Sequence, residues 1–181
     1  MTKSLLPLGQ FETRHLRARK PRLSDAAIVF GAYATDPEVT RFLTWKPYKE
    51  LLPLERFFHH TIQEWEKGKS FAYMLCLKEA DEPIGSIHLR IEGFKAHFGY
   101  ALAKAHWGKG LMTEALSFLV DWALAQPGIY RATAFCDTEN PGSARVMEKA
   151  GMMFEGVTKR GHIAPTIGPE PRDCLVYAKV R

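Results

Sequence analysis

Cysteine is scarce in this chain: Cys76, Cys136 and Cys174 are its complement, widely spaced and odd in number. That excludes a disulfide framework and leaves no pair at zinc-ligand spacing, so a reducing, cytoplasmic setting is expected. Each thiol is expected to pack as a small apolar side chain. Long apolar runs are missing too, and nothing approaches the roughly 20 residues that cross a bilayer. The first residues lack the apolar core of a signal peptide. No membrane association is expected. His59 and His60 have no Cys or carboxylate at ligand spacing, so no metal site is expected. Repeats, low-complexity tracts and linkers are also wanting, which predicts a lead-in over residues 1–12 and one domain over 13–181.

What is present suits a compact enzyme. Apolar residues make up 46% and charged residues 25% of 181 positions, ordinary globular values for one domain. The net charge of +5 suits an anionic ligand. Basic residues crowd between Arg14 and Arg22, but Leu16 and Ala18 alternate with Arg17 and Arg19. That alternation reads as a half-buried strand with a solvated basic face, and with no aromatic stacking platform beside it no nucleic-acid partner is expected.

The most informative stretch runs from Phe98 to Ala123. Phe98-Gly99-Tyr100-Ala101-Leu102 alternates as a strand, whereas Leu111, Ala115, Leu116, Leu119, Trp122 and Ala123 recur at helical spacing. Between them lies Trp107-Gly108-Lys109-Gly110. Strand, glycine-rich turn and helix start together aim free backbone N–H groups at an anion. The spacing is not that of a Walker loop, and the third glycine of a dinucleotide fingerprint is missing.

A second stretch, Asn140-Pro141-Gly142-Ser143 through Gly151, carries an N-cap, a proline at the first helical position and a stop glycine. In order, the two stretches resemble the GNAT N-acetyltransferase superfamily. Trp107-Gly-Lys-Gly-Leu-Met-Thr-Glu-Ala-Leu116 is most similar to its RimJ/RimL branch, the ribosomal-protein N-terminal acetyltransferases. The resemblance implies a single α/β (α+β) domain with a mixed, mostly antiparallel sheet flanked by helices. It implies acetyl-CoA as the acetyl donor and a primary amine as acceptor, a protein N-terminal α-amine by branch. A small-molecule amine or antibiotic, or acyl-CoA sensing without turnover, are the alternatives. Both a monomer and a homodimer are compatible with it.

Residue by residue, the resemblance implies donor contacts at Tyr100, Ala101, Leu102, Trp107, Gly108, Lys109, Gly110, Leu111, Met112, Thr113, Asn140 and Ser143, with Ser143 also a proton donor or thiolate stabiliser. Trp45 and Tyr48, on a loop, are either acceptor contacts or aromatic lids on the core edge. The family often has Glu just before this strand's Ile-Gly-Tyr, where the chain has His97. His97 is therefore either a general base or a plain strand-end histidine. Matching apolar faces of Pro83–Ile91 and His97–Ala103 pairs Leu89 with Tyr100 and sets Glu92 across from His97 as its orienting partner. The irregular stretch from His162 to Arg172 is expected to edge the acceptor groove, and Ser24 to cap a helix reaching Tyr33.

Overall fold

A computed structural model describes residues 7–68 and 70–181. Its strands are β1 (Gln10–Glu12), β2 (Leu16–Arg19), β3 (Ser70–Leu77), β4 (Pro83–Glu92), β5 (Lys95–Leu102), β6 (Arg131–Asp137), β7 (Met153–Ile163) and β8 (Pro171–Val180). They form one sheet in the order β1-β2-β3-β4-β5-β6-β8-β7. Among the described residues only β5 and β6 run parallel, because helix α4 (Leu111–Ala125) carries the chain back between them. This is the mixed, mostly antiparallel sheet that the resemblance implies.

Strand alternation divides the apolar residues between two faces. Phe71, Tyr73 and Leu75 of β3, Ile87 and Leu89 of β4 and Phe98 of β5 share a core with Leu116 and Leu119 of α4. Met147 of α5 (Pro141–Lys149) joins the same core. On the opposite face Met74 and Ala101 meet Val29 of α1 (Asp25–Val29), Val39 of α2 (Pro37–Thr40), and Leu54 and Phe58 of α3 (Leu51–Glu66). After Val29 the helix widens into a π turn over Phe30–Ala34, a feature concentrated at functional sites.

Three local features depart from the sequence reading. The lead-in contains β1, which pairs with β2 and buries Phe11, while residues 1–6 lie outside the described residues. Ser24 makes no side-chain cap. Asp25 instead accepts the Arg22 N–H at 2.7 Å and grips Arg19 with both oxygens at 2.8 Å. The hairpin between β4 and β5 turns in two residues, Gly93-Phe94, with Gly93 at φ 58° supplying the left-handed backbone such turns need. The register therefore shifts by two: Leu89 pairs with Phe98, Arg90 with His97 and Glu92 with Lys95. A shift of two keeps every side chain on its expected face.

Candidate active site

The parallel ladder joins Lys95–Phe98 to Arg131–Ala134 and then stops. Beyond Phe98 the strands part. Ala103 donates to Ile84 at 2.8 Å across the β4 side, so by antiparallel alternation the amides of Tyr100 and Leu102 point into the gap. A cavity of about 930 Å³ fills the opening and continues over the α1–α3 face.

At one end of it sits the glycine turn. Gly108 and Gly110 hold φ 73° and 76°, a conformation costing other residues roughly 1–2 kcal/mol. Among the described residues no side chain caps α4, and its first intrahelical bond runs from Glu114 N–H to Gly110 O at 3.0 Å. The amides of Leu111, Met112 and Thr113 therefore precede the ladder, at the positive end of the helix dipole. Trp107 is half exposed, and its indole N–H donates to the Leu102 carbonyl at 2.7 Å, tying the turn to the end of β5. Arg145 and Lys149 bring positive charge to the cavity from α5.

Across the gap Asn140 caps α5, its side-chain oxygen accepting the Ser143 N–H at 3.1 Å. The Ser143 hydroxyl lies 2.8 Å from the Tyr100 hydroxyl, which also donates to the Ser143 carbonyl at 3.2 Å. Burial raises the Tyr100 pKa, so this phenol keeps its proton and can donate it. Cys136 lines the same wall, its thiol pushed up to about 11 by burial.

The other half of the cavity is aromatic. Tyr33 of the π turn, Phe42, Trp45, Tyr48, and Phe57 and Phe58 of α3 line it. Trp45 and Tyr48 face each other with ring centroids 5.5 Å apart, so both act as cavity wall. His88 enters from β4, opposite Gly99 and 6.4 Å from the Phe57 ring. Burial pushes its pKa down to about 4, so the imidazole is neutral at pH 7.

Most residues singled out from the sequence meet here: Tyr100, Ala101, Leu102, Trp107, Gly108, Gly110, Leu111, Met112, Thr113, Asn140, Ser143, Trp45 and Tyr48 all line the cavity. Lys109, Glu92 and His97 are absent from its lining. His97 lies on the closed part of β5, between Arg90 and Thr133. Its Nε2 is 3.4 Å from Glu92 without hydrogen-bond geometry, and burial together with Arg90, Lys95 and Arg131 lowers its pKa. The stretch from His162 to Arg172 also lies outside the lining. It is fastened instead to the buried Asp137, which accepts from Arg172 and lies 3.0 Å from His162 Nε2. Sequence reasoning missed His88, whose signal is its place in β4 between Ile87 and Leu89, which face the core.

These features fit an acetyl-CoA-sized donor. Uncapped amides and cations suit its phosphates, and a gap with inward amides suits an extended amide-bearing arm.

Comparison with known proteins agrees. Residues 15–153 match the acetyltransferase (GNAT) domain. The N-acetyltransferase p20 of Bacillus licheniformis is 28% identical over 150 residues, 81% of this chain and 84% of that protein. The ribosomal-protein-serine acetyltransferase of Escherichia coli (strain K12) is 30% identical over 115 residues, 62% of this chain and 63% of that protein. Among solved structures, the Microcin C7 self immunity acetyltransferase MccE, in complex with acetyl-CoA and AMP, has the same fold. It superposes with a TM-score of 0.86 at 19% identity, covering 97% of this chain and 98% of that one. The chain belongs to the GNAT acetyltransferase family.

Proposed function

We propose that the enzyme transfers acetyl directly from acetyl-CoA to a primary amine bound in the same cavity, with a protein N-terminal α-amine as acceptor. The observation that carries this reading is the gap between β5 and β6, which opens onto the glycine turn, the Tyr100–Ser143 pair and His88 together. Donor phosphates would meet the amides from Gly108 to Thr113. The thioester carbonyl would meet the amides of Tyr100 and Leu102, fixed donors for the oxyanion formed on attack.

His88 is the base we assign in place of His97, because it lines the cavity and His97 does not. A neutral imidazole accepts a hydrogen bond from the amine and aims its lone pair. The nitrogen's proton becomes acidic as the C–N bond forms, and His88 takes it then. As the C–S bond breaks, the leaving thiolate draws a proton from the Tyr100–Ser143 hydroxyl pair. An α-amine, with a pKa of about 8, offers more free base at neutral pH than lysine at about 10.4. The similarity to the ribosomal-protein-serine acetyltransferase supports the same class of acceptor.

Calorimetric titration with acetyl-CoA, followed by thiol release against peptides and small amines, tests this reading. Binding followed by release with a peptide is expected. Binding with no release from any amine overturns the transfer reading and leaves acyl-CoA sensing.

A further inference from the structure

Resting on the acetyl-transfer reading, the chemistry of the acceptor half narrows the amine further. We propose that it takes a primary amine carried on an aromatic or bulky apolar body and discriminates against amines bearing a second positive charge. The walls argue for this first. Tyr33, Phe42, Trp45, Tyr48 and Phe57 line the same cavity as His88, with the Phe57 ring 6.4 Å from the imidazole, and so offer apolar ring surface to a flat group.

Charge argues for it independently. A second cation on the acceptor would need a carboxylate, and Glu38 is the one carboxylate among the described lining residues. Glu38 is already taken, its Oε2 lying 2.7 Å from Lys104 Nζ. The cation on this side, Arg41, stacks 5.1 Å over the Phe42 ring and would repel a polycation. A neutral His88 gives the reacting nitrogen an acceptor and adds no anion to attract further charge. The same chemistry could come from a peptide beginning with an aromatic residue or from a free arylalkylamine.

Two measurements separate this proposal from the reading beneath it. The first is calorimetric binding of 2-phenylethylamine to the CoA-saturated protein and to its Phe57→Ala variant. Phe57 is 41% exposed, so its truncation leaves the fold intact. The expected result is binding that weakens about tenfold in the variant while CoA affinity stays unchanged. The second is thiol release with 2-phenylethylamine, a Phe-initiated tripeptide, a Ser-initiated tripeptide and spermidine. At least one aryl amine should exceed both Ser peptide and spermidine by about tenfold in kcat/KM, and the better of the two names the source. Equal or better turnover of spermidine or the Ser peptide overturns the proposal and leaves acetyl transfer standing. Phe57-dependent binding with no release from any amine does the reverse.

Discussion

At the scale of single residues the proposed transfer divides the labour between two hydroxyls and an imidazole. Burial keeps Tyr100, paired with the Ser143 hydroxyl, protonated and keeps His88 neutral, as the proposed acid and base require. The His88 pKa of about 4 against an ordinary 6.5 has two consequences. In stability, the native state resists protonation that the unfolded chain accepts. This contribution is whole above pH 6.5 and is lost as pH falls toward 4, a loss of roughly 3 kcal/mol. In rate, His88 does not titrate across neutrality, so kcat/KM rises with pH only as the amine loses its proton. His88→Gln should lower kcat/KM about a hundredfold by a constant factor between about pH 6 and 8, and unfold less readily in acid. An inflection below the ordinary histidine pKa that disappears in His97→Ala would return the base to His97. Ser143 and Asn140 were legible in the sequence because a cap has a local signature. His88 was not, since a histidine in mid-strand shows the same alternation whether it faces solvent or a cavity.

At the scale of elements the cavity wall depends on one buried ion pair. Arg19 and Asp25 are 6% and 1% exposed, and the fork between them pins the start of α1, hence the π turn bearing Tyr33, to β2. Asp81 holds the other side of the guanidinium at 2.8 Å. Asp25→Ala strands the arginine charge and should cost about 3–5 kcal/mol in denaturant unfolding. A loss below about 1 kcal/mol would show that Asp81 alone suffices. Strand existence and helix boundaries were largely legible from periodicity. Register was not, because it depends on turn length and the sequence allows both a two- and a four-residue connection after Glu92. The ending of α1 in a π turn likewise follows from packing of Tyr33 and Ala34 against the sheet, and no local propensity announces it.

At the scale of the molecule part of the topology was legible: β4 and β5, joined by a tight turn, pair as a hairpin, whereas the pairing of β6 with the non-consecutive β8 has no local signal. The stretch from His162 to Arg172 was placed wrongly beside the acceptor because its anchor, Asp137, lies far away in sequence on β6. What no pattern reveals is where β5 and β6 part, since that depends on the twist of the sheet as a whole over the core its two halves share.

That parting has a consequence for exchange with solvent. Phe98 and the residues before it sit where β5 is paired on both sides, whereas the amides of Tyr100 and Leu102 face the β6 side, where the described ladder has already ended at Phe98. In deuterated water the latter two should label within seconds in the free protein, while those between Ala96 and Phe98 should persist far longer. Adding acetyl-CoA should protect Tyr100 and Leu102 selectively, so that the donor completes, from outside the chain, the rung the sheet leaves open.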